Sequence, residues 1–139
     1  MLDLNGTIAL DGQIIEGVKD RLHQLSSLLS ISIVTADTHG SAQQLEKRLD
    51  VNMSKIEAGK EDAQKLALIQ RLGSEETVSI GNGSNDVSML KEAALGICIL
   101  GQEGASSEAI MSSDLVVCDI NDALDLLLKP DRLVATLRK

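Results

Sequence analysis

Residues 77–86 have the sequence TVSIGNGSND, in which an apolar strand leads directly into a glycine-rich polar loop. Residues 77–80 have the composition of a buried strand, and residues 85–94 have the spacing of a helix. A strand joined to a helix by such a loop is typical of parallel α/β sheets. Ligands bind to these sheets beyond the carboxyl ends of the strands, which is where the polar loop lies.

Strands and helices alternate on both sides of this stretch. Further strand patterns occur at residues 1–4, 8–10, 13–15, 31–34, 53–56, 95–100 and 115–117. Helical patterns cover residues 16–29, 41–49, 61–72 and 105–111, and one or two helices follow residue 121, with Pro130 placed to begin the last. Several strands are apolar on both faces, which indicates a parallel sheet covered by helices on both sides.

We therefore predict a Rossmann-like three-layer α/β/α sandwich with a mainly parallel sheet, formed as one domain by residues 1–139. Asp11 and Gly12 separate two short strands and predict a small β-hairpin. The helix at residues 61–72 is predicted to be amphipathic, with Leu66, Ile69 and Leu72 on one face.

The composition argues against several classes of function. The 139 residues carry a net charge of −8 and include no aromatic side chain. This negative charge argues against nucleic acids and anionic membranes as partners. No run approaches the roughly 18 apolar residues of a membrane span, and no signal peptide is recognisable, so we expect a cytoplasmic protein. Cys98 and Cys118 lie in apolar runs and are expected to be buried free thiols.

Polar side chains follow three predicted strands at their carboxyl ends. Asp3 ends the first strand, Thr35 ends the strand at residues 31–34, and the loop after residue 80 contains Asp86. Lys65 lies early in the helix that leads to this loop, so it can reach the same edge of the sheet. Carboxylates bind hard cations such as Mg²⁺, whereas ammonium, hydroxyl and backbone N–H groups bind phosphate oxygens. This combination of carboxylate, ammonium and hydroxyl groups predicts phosphoryl transfer, with an aspartate as the nucleophile.

Four segments, in order, resemble the four motifs of the haloacid dehalogenase superfamily. Residues 3–7, DLNGT, resemble the first motif, D-x-D-x-T, and Thr35 resembles the strand-final Thr or Ser of the second. Lys65 resembles the lysine of the third, and residues 81–86, GNGSND, resemble the fourth, G-D-G-x-N-D. Within the superfamily, the motifs are most similar to those of P-type ATPase catalytic domains and of small soluble proteins akin to them. Too few residues separate the motifs for a cap domain.

The resemblance implies a Mg²⁺-dependent phosphohydrolase that acts on a small phosphorylated substrate through an aspartyl-phosphate on Asp3. The expected catalytic residues are Asp3, Asn5 and Lys65, the expected phosphate contacts are Thr35, Ala36, Lys65 and Asn85, and the expected metal ligands are Asp3, Asn5, Asn82 and Asp86. Capless members tend to cover their site with a neighbouring subunit or to act on large substrates, so the resemblance also implies a homo-oligomer as one arrangement.

Departures from the family pattern bear on activity. Asn5 replaces the aspartate that protonates the leaving group and then activates water, and an amide does neither. We therefore expect slow turnover or a long-lived phosphoenzyme. Asn82 replaces an aspartate that usually binds the metal directly, so Mg²⁺ should bind more weakly. Two residues precede Asp3, where the family usually has four or five apolar ones, so we expect either a frayed first strand or a start that is truncated relative to the family.

Individual residues have alternative interpretations. Lys60 competes with Lys65 for the role of the third-motif lysine. His39 is either a loop residue or a general base, and Asp37 either contacts the substrate or caps the following helix.

Two other functions are compatible with the motifs. Because Asn5 and Asn82 replace carboxylates, the chain is also interpretable as a catalytically weak relative that serves as a phosphate- or metal-binding or regulatory module. Residues 81–83, GNG, with Glu103 about 20 residues further on, match part of a dinucleotide-binding fingerprint. Against that interpretation, Asp86 stands where the fingerprint requires a third glycine.

Overall fold

A computed structural model describes residues 1–36, 41–49 and 51–139, without the side chains of residues 41–44. The strands in this part of the chain are β1 (Leu2–Asp3), β2 (Ala9–Leu10), β3 (Gln13–Ile14), β4 (Ser32–Thr35), β5 (Asn52–Lys55), β6 (Val78–Gly81), β7 (Leu95–Ile99) and β8 (Leu115–Val117). Six of them form a parallel sheet in the order β5-β4-β1-β6-β7-β8. Strands β2 and β3 form a separate antiparallel hairpin.

Strand β1 lies in the middle of the sheet. Leu2 pairs with Ile33 of β4 on one side and with Ile80 of β6 on the other, and Asp3 pairs with Val34. After β1, the chain adds β4 and β5 on one side and then returns to add β6, β7 and β8 on the other. Open α/β sheets bind ligands in the crevice where the strand order reverses in this way. The carboxyl end of β1 therefore lies where a ligand is expected.

Helices cover both faces of the sheet. They are α1 (Val18–Leu25), α2 (Ser41–Leu49), α3 (Glu61–Leu72), α4 (Val87–Glu92), α5 (Ser107–Ser112), α6 (Ile120–Leu128) and α7 (Pro130–Leu137). Ile33 of β4 packs in the layer formed by α1, α2 and α6. Its neighbour Val34 packs with Ile69 and Met89 in the layer of α3 and α4, because successive residues of a strand point to opposite faces. This arrangement confirms the predicted three-layer α/β/α fold.

Asp11 and Gly12 form the hairpin turn that the sequence predicts. Ala9 pairs with Ile14, and both turn residues have positive φ, at 50° and 76°. Positive φ at both central positions is typical of a type I′ turn. Between β1 and β4, the chain forms this hairpin and α1, so no cap domain lies there. Within the described ranges, none of the helices has the length and apolar character needed to cross a membrane.

The buried face of α3 differs from its apolar face, and one prediction about the burial of a cysteine is wrong. Leu72 of α3 is 47% exposed, whereas Lys65 and Ile69 are the fully buried residues of that helix. Hydrophobic spacing does not reveal this face, because one of its buried members is charged. Cys98 is buried in the inner strand β7, but Cys118 is exposed, because it follows the edge strand β8.

Candidate active site

Asp3 ends β1 at the centre of the sheet and is 7% exposed. The chain then turns tightly, and the N–H of Gly6 donates to the carbonyl of Ala9 at 2.9 Å. This turn directs Thr7 back towards Asp3, so that Thr7 Oγ1 lies 3.3 Å from Asp3 Oδ2. The same hydroxyl lies 3.2 Å from Oδ1 of Asn82, in the loop after β6. The Thr7 hydroxyl thus lies between Asp3 of the first predicted motif and Asn82 of the fourth.

Lys65 bridges two carboxylates. Its Nζ atom lies 2.7 Å from Asp3 Oδ1 and 2.6 Å from Asp86 Oδ1, and the residue is 1% exposed. Helix α3 positions this ammonium group because Ile69, one turn later on the same face, is anchored in the core. Lys60 is exposed at the start of α3. The structure therefore brings Lys65, and not Lys60, to Asp3.

Asp86 is fully buried immediately before α4 and holds the loop after β6 in place. Its Oδ1 accepts from Lys65, and its Oδ2 accepts from the backbone N–H groups of Asn82 and Gly83, each at 2.9 Å. A bound pyrophosphate would need those N–H groups, so this bonding argues against the dinucleotide interpretation. Direct metal coordination by Asp86 stays a prediction, and it would replace one of these contacts.

Burial and neighbouring charges shift the ionisation of these groups. Burial, followed by the charge of Asp86, raises the pKa of Asp3 to about 6, although Lys65 and Thr7 oppose the shift. Burial lowers the pKa of Lys65, but the attraction of Asp3 and Asp86 outweighs it, so the pKa is raised overall. A lysine that stays charged beside a carboxylate that ionises close to neutrality is an electrostatic arrangement typical of functional sites.

These side chains border a cleft of about 370 Å³ at the carboxyl edge of the sheet. The lining residues are Asp3, Asn5, Thr35, Ala36, Glu61, Lys65, Asn82, Gly83, Asn85 and Glu103. The cleft thus brings together all the predicted site residues except Asp86, which is buried on the far side of Lys65. Two larger hollows, of about 700 and 630 Å³, lie around residues 28–31, away from these groups. His39 and Asp37 lie outside the described residues.

Two acidic residues of the cleft were not predicted as part of this site. Glu103 lies in the loop after β7, and the rule that identified Asp3, namely a polar residue beyond the end of a parallel strand, applies to it as well. Glu61 lies at the start of α3, and its Oε1 accepts the N–H of Gly59 at 3.0 Å. None of the four phosphoryl-transfer motifs includes either residue, and Glu103 appears only in the partial dinucleotide-binding fingerprint.

The oxygens of the cleft fit a divalent cation. Thr7 has one hydroxyl hydrogen, so it cannot donate to Asp3 Oδ2 and Asn82 Oδ1 at the same time. An excess of acceptor oxygens that includes a carboxylate suits Mg²⁺. Among the described residues, no three His, Cys, Asp or Glu side chains form a metal-binding cluster. The oxygens around Thr7 that an ion could use are those of Asp3 and Asn82, and the Asn5 residue of the same cleft offers a backbone carbonyl as well.

Comparison with known proteins identifies a family and several relatives of this chain. A family model described as haloacid dehalogenase-like hydrolase matches residues 49–123, which is more than half of the chain. An uncharacterised protein of Methanocaldococcus jannaschii is 54% identical over 84 residues, or 58% of this chain and 90% of that protein. The soluble P-type ATPase-like phosphatase of the same organism is 29% identical over 126 residues, or 88% of this chain and 46% of that protein. The chain thus spans about half the length of that phosphatase.

The fold is also similar to that of solved structures. One is 3-deoxy-D-manno-octulosonate 8-phosphate phosphatase from Moraxella catarrhalis, solved with a magnesium ion and a phosphate ion. It matches with a TM-score of 0.73 and 20% identity, over 99% of this chain and 91% of that one. At 20% identity, this similarity shows that the two proteins share a fold.

Proposed function

The chain belongs to the haloacid dehalogenase-like hydrolases, and we propose on this basis that residues 1–139 act as one domain, a magnesium-dependent phosphohydrolase with Asp3 as the nucleophile. The observation that supports this proposal most is the Lys65 ammonium group, 2.7 Å from Asp3 Oδ1 and 2.6 Å from Asp86 Oδ1 at the edge of the cleft. A phosphoryl group is anionic, and so is its acceptor. A fixed cation beside Asp3 lowers the repulsion between them.

In the first step, an oxygen of the Asp3 carboxylate attacks the phosphorus atom of the substrate. A new O–P bond forms as the bond from phosphorus to the leaving oxygen breaks, and that oxygen takes a proton from solvent. Thr35, Ala36, Lys65 and Asn85 line the cleft and are the proposed contacts of the phosphoryl oxygens. The product is an aspartyl-phosphate on Asp3.

In the second step, water attacks the phosphorus atom of the aspartyl-phosphate. The bond to Asp3 breaks, inorganic phosphate leaves, and the proton of the water passes to solvent, which regenerates the carboxylate. Asn5 lines the cleft where the family has its acid–base aspartate, but its amide neither gives nor takes this proton. The phosphoenzyme is therefore expected to form faster than it breaks down.

Magnesium, when bound, would neutralise charge on the phosphoryl oxygens. Asp3, the Asn82 side chain and the carbonyl of Asn5 are the proposed ligands. Asp86 contributes by fixing Lys65 and the loop that carries Asn82, because both of its oxygens already accept hydrogen bonds from them.

The first test is the mass of the intact protein after incubation with Mg²⁺ and acetyl phosphate. The protein is expected to gain one phosphoryl group, which hydroxylamine removes as it does from acyl phosphates. Asp3→Asn should abolish the adduct, and Asp20→Asn, at an exposed position of α1, should leave it unchanged. An adduct that persists in Asp3→Asn would place the phosphoryl group on another residue and refute the proposed nucleophile.

A second test addresses the role of Asn5. Asn5→Asp restores a group that can transfer a proton, and general acid–base catalysis typically contributes about 10²- to 10⁴-fold. We expect the isolated phosphoenzyme of this variant to lose its phosphate at least about tenfold faster than that of the wild type. Equal rates of phosphate release would show that proton transfer at this position does not limit breakdown.

The alternative function is a phosphate- or metal-binding module with little chemistry, which the neutral side chains of Asn5 and Asn82 favour. It predicts no adduct with acetyl phosphate, even in the Asn5→Asp/Asn82→Asp variant. It also predicts measurable binding of inorganic phosphate in the presence of Mg²⁺ by isothermal titration calorimetry. An adduct in the wild type would exclude this alternative.

A further inference from the structure

We propose that Glu103 provides the carboxylate that Asn82 does not, and that it thereby completes the divalent-cation site of the cleft. This inference rests on the proposed function, because it concerns the cation that the function requires. No family motif includes Glu103, and it is assigned here from its position in the structure.

Glu103 meets Asn82 over the turn that follows Asp3. A Cβ atom added to Gly6 would lie 2.8 Å from Glu103 Oε2, and 2.5 Å and 3.0 Å from Nδ2 and Oδ1 of Asn82. The two side chains therefore approach the same point above the Gly6 backbone. Asn82 Oδ1 and Asp3 Oδ2 lie 3.2 Å and 3.3 Å from the same Thr7 hydroxyl oxygen, which can donate to only one of them. The carboxylate of Glu103 thus borders the group of oxygens that fits a cation.

The loop that contains Glu103 is hydrogen-bonded to the loop that contains Asn82. Asn82 Nδ2 donates to the carbonyl of Gly104 at 3.1 Å, and the N–H of Ser106 donates to the carbonyl of Asn82 at 2.9 Å. Within the Glu103 loop itself, the N–H of Gly104 donates to the carbonyl of Gly101 at 2.9 Å. These bonds flank Glu103 on both sides and hold its backbone next to Asn82.

The carboxylates near the cleft differ in what they already bind. Asp86 is fully buried and has donors on both oxygens, and Glu61 accepts a backbone N–H. Glu103 makes no hydrogen bond or ion pair with any residue that the structure describes, and it is exposed to the cleft. It is therefore the carboxylate that can turn to a cation without giving up a protein contact.

The charges of the groups beside Asp3 and Asn82 favour such a ligand. Asp3, Asp86 and Lys65 together carry one negative charge, and Asn82 adds none. A divalent cation prefers several anionic oxygens, and its affinity depends on how many charged ligands the site offers. Glu103 adds a second carboxylate to that of Asp3, on the side of the cleft where Asn82 lies.

The test measures Mn²⁺ binding to the substrate-free protein by electron paramagnetic resonance, with Mg²⁺ as competitor. Glu103→Gln should weaken binding about tenfold or more, in line with the loss of one charged ligand. Glu108→Gln, which removes the same charge at an exposed position in the next helix, should change it less than twofold. Asn82→Asp in the Glu103→Gln background should restore the affinity, because it returns a carboxylate to the same side of the site.

The outcomes separate this inference from the proposed function. If Asp3→Asn abolishes Mn²⁺ binding and Glu103→Gln leaves it unchanged, the role of Glu103 is refuted and the cation site on Asp3 stands. If neither variant affects binding, the cation lies elsewhere and both proposals about the metal fail. If Glu103→Gln and Glu108→Gln weaken binding equally, the effect is one of overall charge, and Glu103 is not a ligand.

Discussion

At the scale of single residues, Gly6 determines the geometry of the cleft. Its φ is +77°, a region in which side chains are strained, and a Cβ there would lie 2.5 Å from Asn82 Nδ2 and 2.8 Å from Glu103 Oε2. Both contacts are with the ends of flexible side chains, so Gly6→Ala should displace these side chains and leave the backbone in place. We therefore expect it to weaken Mn²⁺ binding and phosphoenzyme formation while the fold persists.

Gly12 offers a matched control for this prediction. Its φ is +76°, nearly that of Gly6, but a Cβ there would meet no atom within 4 Å. Gly6→Ala and Gly12→Ala should both lower the free energy of unfolding in urea, each by about 1–2 kcal/mol, because both place alanine at positive φ. Of the two, only Gly6→Ala should affect the cleft. A similar loss of Mn²⁺ affinity in Gly12→Ala would show that strain in the hairpin, rather than crowding at Gly6, is the cause.

The site residues differ in how far the sequence predicts them. The positions of Asp3, Thr35 and the loop after β6 follow from local patterns, because each comes at or just after the end of an apolar strand. Glu103 is less predictable. Its place beside Asn82 depends on hydrogen bonds between two loops, and these are set by tertiary structure rather than by spacing along the chain.

At the scale of elements, α3 shows the limit of hydrophobic periodicity. The apolar spacing of Leu66, Ile69 and Leu72 predicted the existence and the bounds of the helix correctly. The face of α3 that is buried differs from this apolar face. Lys65 is buried as well, because it forms ion pairs with two carboxylates. Lysine is rarely buried without such partners, so a search for apolar spacing does not count it as a buried residue. The face predicted from apolar residues alone is therefore turned relative to the face that is buried.

The packing of α4 on β7 depends on Gly96. A Cβ there would collide with the backbone carbonyl of Leu90, and it would lie 2.9 Å from the Leu90 carbonyl carbon. Backbone atoms cannot move aside as side chains do, so α4 would have to shift. We expect Gly96→Ala to lower the free energy of unfolding in urea by about 3 kcal/mol, at the upper end of overpacking effects.

Gly101, just beyond the same strand, is the control for Gly96. A Cβ there would make ordinary contacts, the nearest 3.5 Å away at Ile99 Cγ2. Gly101→Ala should therefore change the free energy of unfolding by less than about 1 kcal/mol. If both alanine variants unfold at the same urea concentration as the wild type, the close approach of α4 to β7 is not as tight as the structure indicates.

At the scale of the whole molecule, the alternation of elements predicts a parallel sheet but not the order of its strands. Apolar runs on both faces indicate burial between two helical layers, and this the structure confirms. The order depends on which strand takes the centre. Here, β1 is central although it is two residues long, because Leu2 pairs with Ile33 on one side and Ile80 on the other. Such long-range pairings leave no periodic signal in the sequence.

The central position of β1 also links the cleft to global stability. In the metal-free protein, burial and then the charge of Asp86 raise the pKa of Asp3 to about 6, from 3.8. The folded protein then holds this proton more tightly than the unfolded chain does. The stabilisation from the neutral carboxyl is therefore complete below pH 3.8, and it is lost as the pH rises through about 6. Ionised Asp3 is expected to destabilise the fold at neutral pH, as is common for groups retained for activity.

Asp3→Asn removes this titration and leaves Lys65 with Asp86 as a partner. In EDTA, we expect the variant to be more stable than the wild type at pH 7, by on the order of 2 kcal/mol. The difference should shrink as the pH falls from 7 to 4, because Asp3 of the wild type then becomes neutral too. Urea unfolding at a series of pH values measures this difference, and Asp20→Asn should follow the wild type throughout. If Asp3→Asn is the less stable protein at pH 7, the Asp3–Lys65 ion pair outweighs the cost of burying the charge, and the raised pKa of Asp3 is wrong.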